Sequence, residues 1–328
     1  MSQRQHRVVS GARISGRLHV GNFLGAIANW VRLQDSYECF FFCADWHGLT
    51  TGYEDTEAFM QQKEETFLDI LACGLDPERC VFFVQSDVKE HAELYLLLSL
   101  ITPLGWLERV PTYKEQLQQM TGREITTHGF LGYPVLQSAD VLLYGGELVP
   151  VGEDQLPHLE LCREISRRFN HLYRPILPEP QALLTKTPNL VGIDGRKMSK
   201  SYGNEIPVGA SADEIKQRVS MMVTDPQRVR RTDPGDPDVC TVHRFHGFFG
   251  SEQATVAQGC REASIGCVEC KKRLAAALWE YLAPIWERKQ DLRENPQRLQ
   301  DIRQEGATKA RQVAQDMLVE VRSAMRIG

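Results

Sequence analysis

The chain has 328 residues, of which 42% are hydrophobic, 25% charged and 8% aromatic, and it carries a formal net charge of −5. This length can bury a substantial core and suits about two domains, and the composition excludes disorder and low complexity. The acidic balance argues against a general nucleic-acid binder; the short basic runs "RVRR" (228–231) and "CKKR" (270–273) are more often solvated faces than binding sites, but leave a local patch open.

The start, "MSQRQHRVVSG", has no apolar h-region, and the run "LYLLLSLITPLGWL" is broken by Ser99, Thr102, Pro103 and Gly105. Neither a signal peptide nor a membrane span is expected, and we read the protein as cytoplasmic. Its nine cysteines should then be reduced, and isolated members such as Cys39, Cys73 and Cys162 suit small buried hydrophobes better than a disulfide framework.

In chain order, "RVVSGARISGRLHVGNFLGAIANWVRLQ" reads as a strand, a glycine-rich turn and a helix with apolar residues at helical spacing from Val20 through Ile27. "ECFFFCADWHGLT" is a continuous apolar run, as expected of a strand buried on both faces. "TEAFMQQKEETFLDILACG" is an amphipathic helix stopped by Gly74, and "CVFFVQSD" is another buried strand. The alternation predicts a parallel sheet covered by helices, with a ligand site at the carboxyl ends of the strands. Helices dominate from about residue 91 to 170, "GELVPVGEDQ" reads as a strand entering a loop, and beyond about residue 205 the segments are helical. We therefore expect an α/β unit over 1–205 and a mostly α unit over 206–328, whose last helix can pack back on the first.

Two stretches carry chemistry beyond packing. In "GRLHVGN", Gly16 and Gly21 bracket a turn from which His19 and Asn22 project at a helix start, where backbone N–H groups favour anions. In "GRKMSKS", Lys197 and Lys200 can neutralise charge on a departing pyrophosphate. Each has a plainer alternative, since His19 and Asn22 can simply cap the helix and the lysine loop can be merely solvated. The chain lacks both GxxxxGK[ST] and, after its first strand, GxGxxG, which disfavours a Walker-type NTPase and a dinucleotide dehydrogenase.

Together these motifs resemble the HIGH and KMSKS sequences of class I aminoacyl-tRNA synthetases. "SGARISGRLHVGN", "ADWHGLT", "YPVLQSADVLLY", "LVPVGEDQLPHLELCREISRRFN", "KMSKS" and "MVTDP", spread over residues 8–226, line up in order with tryptophanyl-tRNA synthetases. The resemblance implies a Rossmann-like catalytic domain followed by an α-helical anticodon-binding domain. It implies activation of L-tryptophan with ATP and Mg²⁺, transfer to the tryptophan tRNA, and a homodimer. It places His19, Asn22, Lys197, Lys200 and Lys114 at the reacting phosphates, and Arg13, Gly21, Gly152, Asp154, Met198 and Ser199 also around ATP. His47, Tyr133, Gln137, Asp140 and Gln155 would surround the amino acid. Asp154 and Gln155 can alternatively cap the helix that begins near Leu156, and Asp140 can pair with a core partner. A buried carboxylate accepts from an indole N–H or a phenol O–H, so Asp140 alone leaves tyrosine open. Many members of the family have Gln and Pro where this chain has Arg13 and Ile14, and some have Met at Gln137. The rival readings are a tyrosine-specific synthetase and a tRNA-binding paralogue without catalysis.

Cys240, Cys260, Cys267 and Cys270 form C-x19-C-x6-C-x2-C. Four thiolates suit tetrahedral zinc or an iron–sulfur cubane, and His243 and His246 keep a mixed zinc site open. A subset of bacterial tryptophanyl-tRNA synthetases carries a [4Fe-4S] cluster on four cysteines ending in the same C-x6-C-x2-C, with a first gap a few residues longer. That resemblance implies a cluster with a structural or tRNA-recognition role.

Overall fold

The computed structural model describes residues 6–14, 16–110, 127–184, 190–250 and 252–327. Strands β1 (Arg7–Arg13), β2 (Glu38–Ala44), β3 (Val81–Val84), β4 (Leu148–Val151) and β5 (Gln181–Leu184) form one parallel sheet in the order β3-β2-β1-β4-β5. β2 is buried along all but its first residue. Cys39, Phe41 and Cys43 enter one core and Phe40, Phe42 and Ala44 the other, so the two-sided cover explains the unbroken apolar run. The order reverses between β1 and β4, and a doubly wound sheet opens a crevice at the carboxyl ends of the two strands flanking such a switch.

Through the sheet region the helices are α1 (Val20–Asn22), α2 (Ala28–Leu33), α3 (Asp45–Gly52), α4 (Thr56–Ala72), α5 (Glu90–Ser99), α6 (Leu104–Leu107), α7 (His128–Leu142) and α8 (Leu156–Leu172). The helix expected from Val20 through Ile27 is not continuous: Phe23–Ile27 forms a π turn between α1 and α2. The wider turn carries Gly25 and Ala26 at the cavity described below, in keeping with the habit of π turns to sit at functional sites. α4 is capped by Asp55, whose carboxylate accepts the Ala58 N–H at 3.0 Å, and the chain leaves it through Gly74 at φ +105°.

Beyond the sheet the described elements are helical: α9 (Ala212–Ser220), α10 (Thr241–Phe249), α11 (Gln253–Arg261), α12 (Cys267–Glu294) and α13 (Pro296–Met325), with short 3₁₀ turns between. α12 supplies Leu274, Leu278, Leu282 and Ile285 to the core that contains Phe67 and Leu71 of α4. α13 returns to the sheet, adding Ala307, Ala310, Ala314, Leu318 and Val321 to the opposite core. A Cβ on Gly306 would stand 1.8 Å from the Phe82 carbonyl oxygen, so only glycine lets α13 lie this close to β3. No helix among the described residues is long and apolar enough to cross a membrane.

Candidate active site

The carboxyl ends of β1 and β4 form two walls of a cavity of about 410 Å³ at the switch point, a size suited to a small molecule. Arg13 from β1, His47 from α3, Tyr133, Gln137 and Asp140 from α7, and Gly152 and Gln155 after β4 all line it. Seven of the residues expected at the amino acid or the nucleotide therefore meet at one place. Tyr133, Gln137 and Asp140 share one side of α7 because they are spaced at i, i+4 and i+7. Arg13 donates to the Thr51 hydroxyl, and burial lowers the affinity of its guanidinium for its proton.

Asp140 is 2% exposed and is held from three elements. Its Oδ1 accepts from Gln85 Nε2 at 2.7 Å and pairs with His91 Nδ1 at 2.7 Å, while its Oδ2 pairs with His47 Nε2 at 2.7 Å. Burial alone would raise this carboxyl, but His47 and His91 outweigh it and bring the pKa down to about 2. Asp140 thus pairs with core partners and faces the cavity at once. The core-partner alternative and the ligand reading share one side chain.

His19 and Asn22 cap α1 reciprocally: the Asn22 N–H donates to His19 Nδ1 at 3.2 Å, and the His19 N–H to Asn22 Oδ1 at 3.3 Å. The capping alternative is therefore realised, and it has a chemical consequence. With Nδ1 accepting, the ring proton sits on Nε2, so His19 offers a neutral donor. Burial, reinforced by Lys200, lowers the His19 pKa to about 4 and keeps the ring neutral. Lys200 itself is lowered to about 8 by burial, against the opposing pull of Asp69 and Glu205. The two motifs meet at Gly16, whose φ is +102° and whose added Cβ would lie 3.3 Å from Lys200 Nζ. Met198 packs from the same loop toward Gly21.

The lysine loop is built around Asn204, which sequence reasoning missed. Its side chain accepts the Ser199 N–H at 2.8 Å and donates to the Lys197 carbonyl at 3.1 Å and to Asp194 at 2.7 Å. Asn204 packs so tightly on Gly192 that a Cβ there would come within 2.3 Å of it. Lys197 is exposed, and Asp154 is exposed and does not line the cavity. The capping alternative for Asp154 and Gln155 is not realised: Gln155 stands at the start of α8, but its amide donates to Asp154 Oδ2 at 2.8 Å. Lys114 lies outside the described residues. His158 was also missed; its Nε2 pairs with the Tyr133 hydroxyl at 2.6 Å on the cavity wall, and burial lowers its pKa to about 4. Helical spacing within "DQLPHLE" was the available signal, since it turns His158 to the same side as Gln155.

The four cysteines named as metal ligands come from the start of α10 (Cys240), the end of α11 (Cys260) and the first turn of α12 (Cys267 and Cys270). They share a neighbourhood: Cys270 is pushed up to about 12 by burial and then by the negative charge available on Cys240, Cys260 and Cys267. Arg228 of "RVRR" donates to Cys260 Sγ at 3.6 Å and to the Ile265 carbonyl at 2.8 Å, so this arginine knits the thiol loop. Among the described residues, however, no group of three or more His, Cys, Asp or Glu side chains is arranged to hold a metal ion. Cys240, Cys260, Cys267 and Cys270 thus share a neighbourhood without forming a ready-made ligand set. The donor chemistry suits a sulfur-ligated group, while a single zinc would need the thiolates about 3.8 Å apart around it.

A switch-point cavity, together with a neutral imidazole donor and a half-buried lysine on glycine-bounded loops, defines a nucleotide-using enzyme of the doubly wound class. The chain belongs to the class I tRNA synthetases (W and Y), whose family model matches residues 1–283. It is 51% identical to the tryptophan–tRNA ligase of Thermotoga maritima across 98% of this chain and 99% of that one. It is 43% identical to the Aquifex aeolicus enzyme of the same name, covering 98% of this chain and 100% of the other. Among solved structures it resembles the tryptophanyl-tRNA synthetase of Campylobacter jejuni complexed with ADP and tryptophan, at a TM-score of 0.90 and 35% identity over 98% of this chain and 100% of that chain.

Proposed function

We propose that this chain is a tryptophan–tRNA ligase. The tryptophan carboxylate attacks the α-phosphate of ATP, giving tryptophanyl-adenylate and pyrophosphate, and the tryptophanyl group then passes to a ribose hydroxyl of its tRNA. The carrying observation is the buried, ionised Asp140 facing the cavity at the sheet's switch point, in a chain 51% identical to a tryptophan–tRNA ligase over 98% of its length. In this reading Asp140 accepts the indole N–H, while His47, Tyr133, Gln137 and Gln155 enclose the amino acid. Arg13, Gly21, Gly152, Asp154, Met198 and Ser199 border ATP. His19, Asn22, Lys197 and Lys200 stabilise charge on the phosphates, with Lys114 assisting, so catalysis comes from positioning and electrostatics without a protein nucleophile. Mg²⁺ enters with ATP and supplies further charge neutralisation.

Residues 1–205 would form the catalytic unit and 206–328 the tRNA-facing unit, acting in the cytoplasm as a homodimer. We assign Cys240, Cys260, Cys267 and Cys270 to a [4Fe-4S] cluster of structural or tRNA-recognition role, with Zn²⁺ as the alternative. Their shared neighbourhood and the adjoining Arg228 support this. Pyrophosphate exchange into ATP over a panel of amino acids tests the enzyme assignment: tryptophan should drive it, and exchange with tyrosine but not tryptophan would refute the specificity. Iron, acid-labile sulfide and zinc measured after anaerobic purification decide the thiols, and zinc without sulfide would replace the cluster.

A further inference from the structure

A carboxylate offers four acceptor sites, two on each oxygen. On Asp140 three are taken: Gln85 and His91 saturate Oδ1, and His47, a residue of the cavity wall, occupies one site of Oδ2. The fourth site belongs to Oδ2, the oxygen that pairs with the cavity-wall residue His47. His91 is 0% exposed, and its ring is packed among Phe42, Phe83 and Tyr144. Its Nε2 pairs with the Tyr144 hydroxyl at 2.7 Å. Among the described residues, one assignment gives each proton along the Tyr144–His91–Asp140 relay an acceptor. Tyr144 O–H donates to His91 Nε2, and His91 Nδ1–H donates to Asp140 Oδ1. Tyr144 is in turn fixed by stacking on Phe40, with ring centroids 4.9 Å apart. Neither His91 nor Tyr144 lines the cavity.

We propose that His91 and Tyr144 are positioning residues for tryptophan selection: with Gln85 they hold Asp140 Oδ1 from the core and so leave a single, oriented acceptor site on Oδ2 for the indole N–H. The proposal rests on the reading of Asp140 as the indole partner. Without the His91 donor, Oδ1 keeps only Gln85, the carboxylate can turn about its Cβ–Cγ bond, and the N–H of the substrate loses its preferred direction. The relay therefore acts on recognition of the N–H group and leaves ATP binding alone.

The test compares L-tryptophan with L-3-(3-benzothienyl)alanine, in which sulfur replaces the indole N–H, by pyrophosphate exchange with the full-length protein. A site built to pair an N–H rejects an analogue without it, so the wild-type enzyme should favour tryptophan in kcat/KM by on the order of a hundredfold or more. His91→Leu should compress that ratio by about tenfold, through a higher KM for tryptophan with KM for ATP unchanged, and His91→Gln, which keeps an N–H donor, should restore much of it. Tyr144→Phe preserves volume and stacking, guards against loss of fold in His91→Leu, and should compress the ratio by about threefold. Full wild-type discrimination in Tyr144→Phe and His91→Leu, or equal losses for both substrates, would overturn the relay. Equal use of both amino acids by the wild-type enzyme would instead refute the Asp140 reading on which the relay depends.

Discussion

Lys289 of α12 is 1% exposed and bonds Asp69 of α4 at 2.5 Å and Glu65 at 2.6 Å. Asp69, also 1% exposed, accepts the Leu18 N–H through its other oxygen at 2.9 Å, immediately before His19. Replacing Lys289 by Met keeps the stem that packs against Gly209 and removes only the charge. Glu65 retains Arg293 at 2.7 Å, so the group that loses its ion-pair partner is Asp69. Stranding one partner of a buried ion pair costs about 3–5 kcal/mol. With about 2.1 cal/mol/K of unfolding entropy per residue, that loss lowers the melting temperature of a chain this long by roughly 4–7 °C. Adding Asp69→Asn should recover more than half of the loss, because the amide still accepts from Leu18 and carries no charge. Calorimetry of the two variants beside wild type measures both quantities, and exchange assays on Lys289→Met should show a raised KM for ATP as the Leu18–His19 turn loosens. A Lys289→Met protein within 1 °C of wild type, or a double variant no more stable than the single one, would refute the reasoning.

The remaining predictions concern the site itself. Because Lys200 titrates at about 8, kcat/KM for ATP should fall as pH rises through that value; Lys200→Arg should shift this limb well to higher pH, and an unshifted limb would assign it elsewhere. Asp140 has a folded pKa of about 2 against an unfolded value near 3.8, so its contribution is present above about pH 4 and lost as pH falls through 2. It amounts to about 2 kcal/mol, and Asp140→Asn should flatten the acid limb of a urea-denaturation series by that amount. Gly16→Ala forces a side chain into φ +102° beside Lys200 and should destabilise the protein by about 1–3 kcal/mol while lowering exchange activity; normal exchange would separate this turn from the chemistry.

The sequence by itself determined what depends on near neighbours. Alternation of apolar runs with amphipathic segments gave the parallel sheet, because a strand buried on both faces has no polar period to show. Short-range spacing marked the turn of His19 and Asn22 and the lysine loop, while the family resemblance of "YPVLQSADVLLY" supplied Tyr133, Gln137 and Asp140 on α7. Tertiary structure alone decided who meets these residues. His91 reaches Asp140 from 49 positions away, Gln85 from 55, and Lys289 reaches Asp69 from 220. Nothing local in "KEHAEL" or "WERKQD" marks His91 or Lys289 as buried, since a polar residue becomes tolerable in a core only when a distant partner arrives to pair with it. The same limit explains the π turn at Phe23–Ile27, whose periodicity reads as an ordinary helix, and the cysteines. Their spacing named the donors, while the distances among four thiols on three helices are set by packing that spacing does not encode.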